Sequence, residues 1–262
     1  MAATVQSTGG TVRGFDGLRD SLREWLRVPR GLSLPRWVAT RLSTSVAHEL
    51  ELRRGTPLEE VTFGVLDLET TGLSSQRDRI LEIGLVVLRG ARVRATFESL
   101  VDVGEPLPSG ITALTGIHDE LLEGAPAEGD AIASVAALLA EHRVDVLVAH
   151  NARFDRSFFT RAWRTHERSE ELPPFLCSVR AARRLMSAPR YGLDSLVAQL
   201  AIPLRPRHRA RGDAEMTADL WIELVARARL QGFHTLEALR PLAAVGKGRR
   251  RRRRVHVVPV TA

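Results

Sequence analysis

Cysteine, lysine and tyrosine each occur once in this 262-residue chain, as Cys177, Lys247 and Tyr191. A lone cysteine cannot close an internal disulfide, excludes cysteine-rich zinc sites and fits a reducing compartment such as a bacterial cytoplasm. No apolar run reaches the roughly 20 residues of a membrane span, so no membrane partner is expected. The opening MAATVQSTGGTVRG lacks the hydrophobic centre of a signal peptide. With lysine almost missing, positive charge is nearly all arginine, and the net charge of +7 is localised. Taking away Lys247, Arg249, Arg250, Arg251, Arg252, Arg253 and Arg254 leaves basic and acidic residues equal at 31 each. Bulk attraction to nucleic acid is therefore expected from a short tail, which would steer a polyanion without sequence preference.

The remainder has the makings of one sizeable core, with 44% hydrophobic residues. Residues 1–14 are small and polar and are expected to be disordered. Leu18, Leu22, Trp25 and Leu26, then Val38, Leu42, Val46 and Leu50, recur at helical spacing. They define a helical extension over 15–56 that either packs on the main domain or docks a partner. A main domain over 57–230 follows, then a C-terminal helical segment over 231–246 and the basic tail over 247–262.

Within the main domain, 61–68, 80–88 and 93–101 read as strands of an antiparallel meander. Glu128 to His142 carries Ile132, Val135, Leu138 and Leu139 on one helical face, and 144–149 has the composition of a buried strand. Helices are expected over about 152–166, 178–186, 192–200 and 212–229. Strands followed by alternating helices and strands define a mixed α/β layered domain.

The chemistry starts at Phe63-Gly-Val-Leu-Asp-Leu-Glu-Thr-Thr-Gly72. Period-two alternation brings Asp67 and Glu69 out side by side on one face of a strand. Two adjacent carboxylates repel unless a proton or cation intervenes, and an all-oxygen pair suits a hard divalent ion. Further along, Asp155 in His150-Asn-Ala-Arg-Phe-Asp155 and Asp213 in His208-Arg-Ala-Arg-Gly-Asp213 each sit near a helix start. There a carboxylate is also stabilised by the helix dipole alone.

Taken together, Asp67-Leu-Glu69-Thr-Thr-Gly, His150-Asn-x-x-Phe-Asp155 and His208-x-x-x-x-Asp213 resemble the three motifs of the DEDDh 3′–5′ exonucleases. This DnaQ-like group includes the proofreading epsilon subunit of bacterial DNA polymerase III. Leu114-Thr-Gly-Ile117, Leu147-Val-Ala-His150, Leu176-Cys-Ser178 and Leu193-x-x-Leu196 match as well, and the resemblance covers about residues 60–226. The sibling class with a catalytic tyrosine is not matched, because Tyr191 has Ser195 where an aspartate is required.

The resemblance implies an RNase H-like fold and two divalent ions, Mg²⁺ or Mn²⁺, held by Asp67, Glu69, Asp155 and Asp213. It implies His208 as the base that takes the proton of the attacking water, a task suited to imidazole. Two ions can serve both ends of an in-line displacement at phosphorus. Four carboxylates roughly balance two such ions, so the metal-free cluster is expected to be electrostatically frustrated. Thr70, Thr71, Leu114 and Thr115 would hold the terminal nucleotide, with His150 and Asn151 beside it. For Leu114, core packing is an equal alternative, and Thr70-Thr71-Gly72 also reads as a simple turn. DNA is the expected substrate, with RNA the alternative and a silent nucleic-acid-binding or polymerase-binding module a third reading. A DNA polymerase subunit is an expected partner. Gln199-Leu-Ala-Ile-Pro-Leu204 also resembles a sliding-clamp-binding peptide, although Leu196, Leu200 and Ile202 continue an apolar pattern internal to the domain.

Overall fold

The computed structural model describes residues 55–166 and 171–245. The helical extension, but for its last two residues, and the arginine tail lie outside them. Five strands form one sheet in the order β3-β2-β1-β4-β5: β1 Thr62–Thr70, β2 Ile80–Arg89, β3 Arg92–Leu100, β4 Val146–Ala149 and β5 Phe175–Cys177. The meander is antiparallel, whereas β4 runs parallel to β1 and β5 parallel to β4. This mixed sheet carries helices on both faces, as the α/β pattern of the sequence requires.

Alternation along β1 divides the core. Phe63 and Val65 face one apolar cluster, with Leu176 of β5 and the helices α5 (Ser178–Leu185), α6 (Leu193–Gln199), α7 (Ala210–Leu230) and α8 (Leu236–Ala243). Leu66 and Leu68 face the other, with α3 (Glu128–Glu141) and α4 (Arg153–Thr165). Trp221 of α7 meets the Phe63 ring edge-on, with centroids 5.6 Å apart. Asp67 and Glu69 continue the odd-numbered series, so they point to the face that α7 covers.

Three local findings refine the expectations. First, β1 continues to Thr70, two residues past the expected end, with a register shift between Glu69 and Thr70. The turn begins only at Thr71, whose hydroxyl accepts from the Arg79 N–H. Second, 111–115 belong to a short helix, α1 (Ser109–Thr115), stopped by Gly116 in the left-handed region at φ 70°. The single-turn α2 (Asp119–Leu122) follows. Third, β5 is a strand of three residues directly after Pro173-Pro174, too short to announce itself by periodicity. Gln199 and its neighbours are engaged within the domain. The Gln199 amide donates to the Ser187 carbonyl, and Leu200 and Ile202 pack on the core.

Candidate active site

Because β1 and β4 are parallel, their carboxyl ends lie at the same end of the sheet. They pair only over Phe63–Val65 and Val146–Val148, so β1 extends beyond its neighbour. Asp155, in the first turn of the helix that follows β4, is buried in this notch, hydrogen-bonded to the backbone at Leu68. On the other side α7 starts at Ala210, two residues earlier than expected, which sets Asp213 in its first turn and buries it. His208 precedes that turn at φ 55°, a left-handed conformation uncommon for a residue with a side chain. The result brings ligand atoms of Glu69, His208 and Asp213 within 4.8 Å of one another.

The electrostatics are those of an uncompensated acid cluster. Burial, with smaller contributions from Asp155, Asp213 and Glu69, holds the Asp67 carboxyl well above its ordinary range, and Arg207 opposes this. Burial, then the charges of Asp213 and Glu82, raise Glu69 to about 7, against Arg207 and Arg209. Asp155 is also raised to about 7 by burial, with hydrogen bonds from the backbone pulling the other way. Neither Asp67 nor Glu69 is fully shut off from solvent, so the cluster is reachable from outside. Several carboxyl groups driven towards neutral pH by one another and by burial constitute a site short of positive charge. The donor set of carboxylate oxygens and one imidazole therefore fits hard divalent cations. Among the described residues, Arg207 is the cation paired with Asp213, and it reaches Asp194 of α6 as well.

The residues expected to touch substrate are distributed unevenly. The Thr70 hydroxyl donates to the Gly72 carbonyl, fixing the turn, and Thr115 is buried between the Ile111 carbonyl and the Ile117 N–H. Both are occupied internally. Leu114 is half exposed, so core packing does not account for it. Asn151 is exposed at φ 63° in the turn between β4 and α4. His150 is withdrawn from solvent, which lowers its pKa to about 4, and its Nδ1 lies 2.9 Å from the Ser178 hydroxyl.

Sequence reasoning missed Glu82, Arg207 and Arg209. Glu82 is fully buried opposite Glu69, and its carboxylate accepts from Arg209 and from the Ala210 N–H. The available signal was one acid inside the otherwise apolar run Ile80–Leu88.

A mixed sheet of this order, with an acid cluster at the carboxyl ends of its parallel strands, is an RNase H-like fold. The family model RNase_T, described as Exonuclease, matches residues 65–221. The chain belongs to this exonuclease family, whose chemistry is hydrolysis of phosphodiester bonds. Over 193 residues it is 39% identical to a Mycobacterium tuberculosis (strain CDC 1551 / Oshkosh) protein bearing the provisional name bifunctional exonuclease/endonuclease, covering 70% of this chain and 29% of that protein. It is 33% identical over 194 residues to the PolC-type DNA polymerase III of Bacillus subtilis (strain 168), covering 73% of this chain and 13% of the polymerase. The chain thus spans less than a third of the length of these relatives. The fold is shared with Exonuclease X in complex with 5′ overhanging duplex DNA, at 24% identity and a TM-score of 0.54, over 69% of this chain and 98% of that one. It is shared also with the nuclease domain of 3′hExo, a DEDDh family member bound to rAMP, at 15% identity and a TM-score of 0.57, over 65% and 94%.

Proposed function

We propose that this chain removes nucleotides from the 3′ end of DNA by metal-dependent hydrolysis, acting on single-stranded or frayed ends in proofreading or repair. The observation that carries this reading is the convergence of Glu69, His208 and Asp213 within 4.8 Å, beside Asp67 and Asp155, whose carboxyls are pushed up by burial and mutual repulsion.

In this reading Asp67, Glu69, Asp155 and Asp213 hold two divalent ions, Mg²⁺ or Mn²⁺. Bound there, the ions supply a hydroxide at neutral pH and charge stabilisation for the leaving 3′ oxygen. His208, on its loop ahead of α7, takes the proton of the attacking water. Its reach to Glu69 and Asp213 supports that role, because a base must stand within hydrogen-bonding distance of the water it serves. Thr71 and the exposed Leu114 and Asn151 flank the path of the terminal nucleotide. The Thr70 and Thr115 hydroxyls shape that path from behind, since both are spent on backbone partners. The arginines at 249–254 draw the strand in, and the PolC-type relatives favour DNA and a role beside a polymerase.

The test is a 3′-end assay on matched DNA and RNA oligonucleotides with Mg²⁺ or Mn²⁺. Stepwise shortening of the DNA strand is expected, with loss of activity in Asp67→Ala. Full activity in Asp67→Ala would refute the metal assignment, and faster trimming of the RNA strand would replace DNA as the substrate.

A further inference from the structure

Glu82 is the least exposed charged residue among the described residues, at 0% relative accessibility near the start of β2. A carboxylate taken wholly out of water is costly, and an apolar residue of similar size usually serves stability as well or better. The arrangement around it indicates another use. Its Oε1 accepts from Arg209 Nη2 at 2.7 Å and from Nε at 3.0 Å, and its Oε2 accepts from the Ala210 N–H at 2.8 Å. Ala210 is the first residue of α7, and Arg209, its N-cap, offers no capping side-chain bond of its own. Glu82 therefore caps α7 from a different strand, satisfying an N–H that the helix leaves free.

Two further contacts point the same way. Arg209 also reaches Glu98 of β3 at 3.2 Å, so the residue after His208 is clamped to two strands. Gly84, one step along the same face of β2, lets the helix start approach so closely that a Cβ would stand 2.2 Å from the Ala210 carbonyl oxygen. In the sheet register Glu82 lies opposite Glu69 and Gly84 opposite Asp67. The strand beside the acid pair thus carries the device that seats the His208–Asp213 segment, and His208 keeps its left-handed backbone at the clamped end.

We propose that Glu82 is a positioning residue: through Arg209 and the Ala210 N–H it fixes where His208 stands relative to Glu69 and Asp213. The inference rests on His208 being the base of the proposed reaction. Ordinary stabilisation of the fold would require the same contacts but would not single out the step that His208 serves.

Arg209→Gln and Glu82→Gln, singly and together, separate the two roles when each is made in the wild-type and His208→Ala backgrounds. Turnover of a 3′-labelled DNA strand is expected to fall about 10²-fold in each single variant, the scale of a misplaced catalytic group. KM should stay within about twofold, because the lost interaction acts in the transition state. The double variant should lose no more than one single variant, because both changes break one contact. In the His208→Ala background neither substitution should reduce turnover further. An equal loss in that background, an effect confined to KM, or unimpaired turnover in Arg209→Gln overturns the proposal. If Glu82→Gln does not fold, the half-exposed Arg209→Gln decides alone. Wild-type turnover in His208→Ala, or an inert wild-type chain, refutes the functional reading and the positioning role with it. An inactive His208→Ala beside a fully active Arg209→Gln refutes the positioning role only.

Discussion

Glu69 offers a direct measure of how strained the metal-free site is. Its carboxyl moves from an ordinary 4.5 to about 7 in the folded chain, chiefly through burial and then through Asp213 and Glu82. A group whose folded pKa lies above its unfolded value stabilises the fold fully below the unfolded pKa. It loses that contribution as pH rises through the folded one. The window therefore runs from pH 4.5 to about 7, and that span of about 2.5 pH units at about 1.4 kcal/mol each brings the loss to roughly 3.5 kcal/mol. His150 works in the opposite direction: lowered to about 4 by burial, it makes the fold more stable as pH rises from 4 towards 6.5. Comparing wild type with Glu69→Gln cancels His150, and it also removes the smaller upward push that Glu69 gives Asp67 and Asp155, which acts in the same direction. Urea unfolding in EDTA at pH 5, 6, 7 and 8 should show wild type losing about 2–3 kcal/mol relative to Glu69→Gln across that range. Saturating Mn²⁺ should remove the loss, because the cation compensates the ionised carboxylates. A difference that stays flat with pH in EDTA, or grows in favour of wild type, would refute the picture of a charge-starved cluster.

Arg207 is the only described basic side chain paired with Asp213, so a cation entering there competes with its guanidinium. Arg207→Gln should tighten Mn²⁺ binding in calorimetry about tenfold, given that a hydrogen bond to a charged group is worth on the order of 1.5–3 kcal/mol; unchanged affinity would show that the pair does not oppose the metal. Gly84→Ala forces a methyl against the Ala210 carbonyl and should cost about 1–3 kcal/mol of unfolding free energy, read as a lower denaturant midpoint, as overpacking does. Deleting residues 247–262 should flatten the dependence of DNA affinity on salt while leaving saturated turnover close to wild type; an unaltered salt slope would remove the arginines from any part in binding.

Much of the site was legible before any coordinates. Asp67 and Glu69 share a face because strand side chains alternate, and that follows from local sequence alone. The meander and the main helices were equally readable, because each carries its own periodicity. Short elements were not: β5 has three residues and α2 four, too few for a period to appear, and both exist through the partners that receive them. Whether Leu114 was core or surface could not be decided by its type, since an apolar residue is compatible with either; the way α1 packs leaves it half exposed.

The sequence by itself determined which residues could do the chemistry: four acids and a histidine in a fixed order along the chain. Only the tertiary structure decided what holds them in place and what they experience. Glu82 and Arg209 lie 127 residues apart, and nothing in either neighbourhood predicts their contact. The elevated carboxyls of Asp67, Glu69 and Asp155 likewise exist only once burial and convergence bring the acids together, because desolvation and charge repulsion depend on distance through space and not along the chain.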